Sequence, residues 1–222
     1  MNVAVVLSGC GVFDGSEIHE TVIIMLALDR RDVTYTCVAP RKSFDVVDHV
    51  SGTETGRTRD VFAESARIAR GQIADLADVN GGDFDAVVLP GGFGAAKNLC
   101  TFASEGAACS VDADVERFLR EAHAAGRPIG FACIAPAIGA RVFGADLKPA
   151  LTIGHDAGTA EGITRLGAEH VECDVRDIVI DEKHKIVTTP AYMEAKRITE
   201  VQEGIDKMIG TIVEMAGATV NA

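Results

Sequence analysis

Apolar residues fall into two patterns along this chain: short unbroken runs and helix-spaced stripes. Residues 3–7 form an unbroken run rich in β-branched side chains, as in a strand covered on both faces. Ser8-Gly9-Cys10-Gly11 breaks it, and a helix is predicted from near Ser16 to 29–31, with Glu17 and Glu20 in its acidic first turn. Residues 33–39 form the next strand, stopped by Pro40. Strand, loop, helix and strand within forty residues indicate a parallel α/β arrangement.

Residues 41–58 are polar and read as an insertion with short strands of its own; 60–70 is helical. Residues 84–89 are a third core strand, broken at once by Pro90-Gly91-Gly92. The segment 110–125 is amphipathic, with Val111, Val115, Phe118, Leu119 and Ala122 on one face and Gly126 and Pro128 at its end. A short strand at 129–132 runs directly into Cys133 and a helix over 134–143. Shorter strands are predicted at 150–154, 171–173, 178–180 and 186–188, and a closing helix over 194–216. The expected fold is one α/β domain over 1–222: a mainly parallel sheet with helices on both faces. Sites in such sheets gather at the carboxyl ends of the strands. Three loops leave those ends with unusual residues: 8–20, 90–98 and 133–137.

Composition narrows the partners. The chain has 222 residues, 47% hydrophobic and 24% charged, which is enough for a substantial core. A net charge of −12 disfavours nucleic acid and anionic membranes. No apolar run approaches the ~18–20 residues of a membrane span. Residues 1–3 enter a strand without a secretory leader pattern, so the expectation is a cytoplasmic protein. The six cysteines include no CxxC pair and no zinc spacing, so they read as reduced thiols, with neither metal nor cofactor expected.

Position singles out Cys133. On a sharp strand-to-helix turn, a nucleophile is held above the sheet, and the helix start offers free N–H groups that lower a thiol pKa. Gly91 and Gly92, at another strand end, can aim backbone N–H groups at an oxyanion, although PGG also serves as a plain tight turn. Glu17 and Glu20 lie one helical turn apart, so either can reach the site, or both simply cap a helix. His155, after a short strand, is a candidate proton shuttle. His19 sits between the two acids, and Cys10 is placed as a supporting thiol near Cys133. Gly9-x-Gly11 with Gly15 misses dinucleotide spacing by one position, and the second strand ends without a ribose-binding acid.

Ser8 through Glu20, Leu89-Pro90-Gly91-Gly92-Phe93-Gly94 through Leu99, Cys133-Ile134-Ala135-Pro136 and Thr188-Thr189-Pro190-Ala191-Tyr192-Met193 together resemble the ElbB family. These are isoprenoid-biosynthesis or glyoxalase-type proteins in the PfpI-like branch of the class I glutamine amidotransferase-like superfamily. The resemblance covers essentially the whole chain. It implies a flavodoxin-like three-layer sandwich with a nucleophile-elbow cysteine at Cys133. It further implies an acidic partner at Glu20, with Glu17 nearby, and an oxyanion hole at the Gly92 and Ile134 amides beside Gly91. His155, His19, Cys10 and Asn98 are placed around that centre. The chain departs from protease-like and chaperone-like members, which carry His where Ile134 stands. Residues 184–190 also lack the His and Glu pair of true amidotransferases.

The function this implies is a cofactor-free glyoxalase. It would convert glyoxal or methylglyoxal to glycolate or lactate through a Cys133 hemithioacetal, in a homodimer. The alternatives are a redox-sensing or regulatory protein with an oxidisable Cys133, or a role linked to isoprenoid biosynthesis.

Overall fold

The unbroken apolar run at the start of the chain has a direct structural reason. In the computed structural model, which describes residues 1–217, β1 (Asn2–Val6) is an inner strand of a seven-stranded sheet covered on both faces. Val3, Val5 and Leu7 pack into a core with Ile24, Leu28, Ile205 and Ile209. Ala4 and Val6 point the other way, into a core with Phe118, Leu119 and Phe143. Alternate residues of one strand thus feed two separate cores, so neither register can turn polar. This is the flavodoxin-like three-layer sandwich expected from the sequence.

The chain builds it in order. α1 (Ile18–Asp29) follows β1, then β2 (Thr34–Ala39), the hairpin β3 (Ser43–Val47) and β4 (Glu54–Asp60), α2 (Val61–Ile68) and β5 (Ile73–Asp75). β6 (Ala86–Leu89), α3 (Phe93–Lys97), α4 (Phe102–Glu105) and α5 (Ala113–Ala124) lead to β7 (Ile129–Ala132) and α6 (Pro136–Leu147). The last part is β8 (Ala150–Leu151), α7 (Ala157–Arg165), β9 (Glu169–His170), β10 (Val179–Asp181), β11 (Ile186–Thr189) and α8 (Ile198–Met215).

The sheet order is β10-β11-β7-β6-β1-β2-β5. All neighbours are parallel except β10, which runs antiparallel to β11. From β1 the chain first moves outward to β2 and β5, then returns to β6 on the other side of β1. The loops after β1 and β6 therefore diverge, leaving a crevice at the strands' carboxyl ends. The loops after β7 and β11 open onto the same end.

Several local expectations need correction. α1 starts at Ile18, because Glu17 serves as its N-cap by accepting the Glu20 N–H. No strand forms at 171–173; instead β8 pairs with β9 two residues earlier. α7 went unpredicted because it carries two glycines and buries only Ile163, so it shows no apolar stripe. β5 is a three-residue edge strand, too short for a period-2 signal. The closing helix starts at Ile198; residues 191–193 form a short 3₁₀ turn, and Glu200 accepts the N–H groups of Lys196 and Arg197 ahead of the helix.

Candidate active site

Cys133 follows β7 directly and precedes α6, with φ +58°. A non-glycine residue in the left-handed region costs roughly 1–2 kcal/mol, so the surroundings must hold it there. They do so in part through the Cys133 N–H, which donates to the Thr189 carbonyl oxygen at the end of β11 (3.0 Å). The Ala135 N–H closes a turn back to the Ala132 oxygen (3.0 Å). The side chain is left at the carboxyl ends of the inner strands, where the backbone N–H groups of Gly92 and Ile134 donate to its sulfur.

Glu20 faces that sulfur from the first turn of α1. Its side chain is wholly buried. One carboxyl oxygen accepts the Gly91 N–H (2.8 Å), the other accepts the Tyr192 N–H (3.2 Å), and the Cys133 thiol hydrogen-bonds the same group. Three strand-end loops, after β6, β7 and β11, thus converge on one carboxyl. The choice left open by the sequence is settled geometrically: Glu20 meets the sulfur, while Glu17 caps α1 and lines the cavity above (its Oε2 accepts the Glu20 N–H, 2.7 Å).

Gly91 makes this approach feasible. A Cβ at position 91 would lie 2.4 Å from the Cys133 Cβ, 2.8 Å from its sulfur and 2.9 Å from the Glu20 Oε2. Gly92, at φ +90°, would place a Cβ 2.4 Å from the Glu17 nitrogen and the Gly15 oxygen. The PGG turn is therefore fixed by contact with the Cys–Glu pair as well as by turn geometry.

The electrostatics reverse one expectation. The helix start does supply N–H donors, but the Cys133 thiol is pushed well above its usual pKa, first by burial and then by the Glu20 carboxylate. Glu20 is itself raised to about 7, by burial and by the neighbouring Glu17, against the hydrogen bonds from Tyr192, Gly91 and Cys133. Two acids compete for ionisation in one buried space, so the pair resists carrying two negative charges. At neutral pH Cys133 is a thiol beside a carboxyl poised to take its proton.

Above the pair lies a cavity of about 360 Å³. Its walls include Val12, Phe93, Phe102, Ile134, Tyr192 and Met193, with Glu17, Gly92 and Cys133 at the base. Tyr192 had no role from the sequence, yet it binds Glu20 through its amide and borders the cavity with its ring. The available signal was its place in the loop after β11, a fourth strand end facing the same crevice.

The remaining candidates lie elsewhere. His155 does not line this cavity: its backbone N–H and Nδ1 both face the Glu194 carboxylate, the latter at 3.3 Å. The turn at Gly154 (φ +93°) packs on Glu194 and holds it there, so the shuttle expectation is not met. Cys10 borders a different cavity, with Asp14, His49 and Arg59, beneath the β3–β4 hairpin. His19 bonds the Tyr192 hydroxyl (2.8 Å) and so touches the site only through that residue. Asn98 donates to the Ser8 and Asp14 carbonyl oxygens (2.8 Å each), tying the loop after β1 to α3. Among the described residues, no group of three His, Cys, Asp or Glu side chains is placed to hold a metal ion.

No family model matches the chain. It is 45% identical to a Homo sapiens protein named glutamine amidotransferase-like class 1 domain-containing protein 3, mitochondrial, over 97% of this chain and 83% of that protein. It is 44% identical to a Rattus norvegicus ES1 protein homolog, also named mitochondrial, over 97% and 84%. That both relatives are named mitochondrial overturns the cytoplasmic expectation. A crystal structure of an isoprenoid biosynthesis protein with amidotransferase-like domain from Ehrlichia chaffeensis superimposes with a TM-score of 0.90 at 38% identity, covering 96% and 99% of the two chains. A DJ-1 superfamily protein from Salmonella typhimurium shares the fold (TM-score 0.52, 22% identity, 97% and 85% covered).

The raised Glu20 pKa has a stability consequence. Its folded value near 7 exceeds the ordinary 4.5, so between those pH values the native state holds a proton that the unfolded chain has released. Stability from this group is fully present below about pH 4.5 and is lost as pH rises through 7, about 3 kcal/mol in all. Denaturant titrations from pH 4.5 to 8 should show that decline in the native chain and a clearly shallower one in Glu20→Gln. Equal slopes would mean that Glu20 ionises as an ordinary carboxylate.

Proposed function

The chain belongs to the class I glutamine amidotransferase-like family, and from that premise we propose that it is a cofactor-independent glyoxalase-type enzyme of the ElbB branch, with the DJ-1/PfpI-type fold, acting on small α-oxoaldehydes. One observation carries this reading: a left-handed elbow cysteine in contact with a buried carboxyl, at the floor of an open cavity.

In the proposed reaction, the Cys133 sulfur adds to the aldehyde carbon as Glu20 takes the thiol proton. The carbonyl oxygen becomes an alkoxide near the Gly92 and Ile134 amides, which lose a good acceptor as the sulfur enters a thioether. Protonation of the alkoxide gives the hemithioacetal. Glu20 then removes the hydrogen of the former aldehyde carbon and returns a proton to the neighbouring carbon through an enediol, leaving a thioester. Water cleaves the thioester to the hydroxy acid and restores the thiol. A carboxyl near pKa 7 suits this relay, because it can accept and give back a proton at neutral pH.

The raised thiol pKa weighs against a redox sensor, which depends on a standing thiolate to meet peroxide. A diphosphate of isoprenoid type would want cations, and among the described residues no Arg, Lys or His lines this cavity. The proposal extends to one amidotransferase-like domain over 1–222 and to a homodimer. α1 supports the latter, because it exposes Ile18, Val22 and Leu26 on one stripe at i, i+4 and i+8.

Consumption of methylglyoxal and glyoxal, without glutathione or added metal, should proceed with the native chain and fall to background in Cys133→Ser, with lactate and glycolate as products. Equal rates would remove the nucleophile from the account. Light scattering should return twice the chain mass for the native protein and one chain mass for Val22→Glu. A monomeric native chain would end the dimer reading.

A further inference from the structure

The cavity above Cys133 is larger than glyoxal or methylglyoxal requires, and its walls are mostly apolar. At about 360 Å³ it has room for roughly a dozen waters at about 30 Å³ each, whereas glyoxal has four non-hydrogen atoms. Phe93, Phe102 and Tyr192 contribute aromatic walls, with Val12, Ile134 and Met193 between them. The lining residues with polar side chains are Thr159, Tyr192, Cys133 and the acid Glu17, with Glu20 beneath, and the Tyr192 hydroxyl bonds His19. Lys97 lies beside the rim, its ammonium 5.4 Å from the Phe93 ring centroid and aimed at the Phe13 carbonyl oxygen (3.4 Å), but it does not line the space.

Each feature selects in the same direction. Apolar and aromatic walls gain from covering a hydrocarbon or aryl group, and a substrate of two or three carbons leaves much of them uncovered. An anion would enter a space with no cation along its walls and two carboxyl groups at its base, so its desolvation goes uncompensated. We propose that this cavity is a specificity pocket for neutral α-oxoaldehydes carrying an apolar or aryl substituent, in preference to glyoxal and to anionic carbonyl compounds of equal size. The inference rests on the glyoxalase reading for its chemistry, but the pocket's preference for neutral aryl carbonyls stands on the lining alone.

Two arms separate the claims. In the turnover arm, kcat/KM for phenylglyoxal should exceed that for glyoxal by roughly 10- to 100-fold, the range that added apolar bulk earns in such pockets. In the binding arm, iodoacetamide alkylation of Cys133 is followed by mass spectrometry with acetophenone or benzoylformate present. Acetophenone, neutral and unreactive, should slow alkylation; benzoylformate, similar in shape but anionic, should not. Ala103→Arg places a cation on an exposed wall residue, and there benzoylformate should begin to protect.

Cys133-dependent turnover with glyoxal equal to or better than phenylglyoxal overturns the specificity claim and leaves the glyoxalase reading intact. Absence of any Cys133-dependent turnover removes the glyoxalase reading, and the binding arm still decides the pocket. Protection by benzoylformate equal to that by acetophenone in the native chain overturns the pocket's preference outright.

Discussion

One contact organises this end of the molecule: the buried Cys133 thiol against the Glu20 carboxyl, held between the loops at the strand ends. A wholly buried carboxyl needs hydrogen bonds to be tolerated, and Glu20 takes them from Gly91, Tyr192 and Cys133. Those donors come from the loops after β6, β11 and β7, and the acid itself comes from the helix after β1. The four central strand ends are therefore tied through a single side chain. Gly91 has no room for a Cβ because the pair lies against it, and Asn98 holds the loop that leads into α1.

The same burial sets the chemistry. Helix starts commonly favour a thiolate, but here desolvation and the facing carboxylate outweigh the two backbone donors, so the proton stays on sulfur. A thiol that waits for a base is protected from chance oxidation and is activated when an electrophile occupies the cavity. The cavity lining complements this: it is mostly apolar, and Glu20 is the carboxyl in direct contact with the sulfur.

Much of this was legible in the sequence because it rests on local signals. The run at 3–7 announced a doubly covered strand, and Cys133 between a short strand and a helix announced the elbow. From spacing alone Glu20 was legible only as one of two acids on a helical face; the family resemblance put the partner at Glu20, and the structure adds that Glu17 turns back to cap α1. Tyr192 was hidden because its main contribution is a backbone N–H, which carries no residue signature. His155 misled because a histidine after a strand end looks placed for proton transfer, while a positive-φ glycine and Glu194 turn it away. Cys10 misled for a similar reason: the loop after β1 is long enough to carry it under the β3–β4 hairpin, and that packing is fixed by distant residues.

The central claim is that Glu20 is the base that activates a resting thiol. The most direct measurement is the rate of Cys133 alkylation by iodoacetamide across pH 5 to 10, in the native chain and in Glu20→Gln. The account predicts an inflection near pH 7 in the native chain, where Glu20 loses its proton. It predicts no such inflection in Glu20→Gln, and a rate at pH 7 lower by roughly tenfold or more. An unchanged profile in the variant, or a native rate already at its maximum at pH 5, would contradict it and mark Cys133 as a thiolate that forms without Glu20.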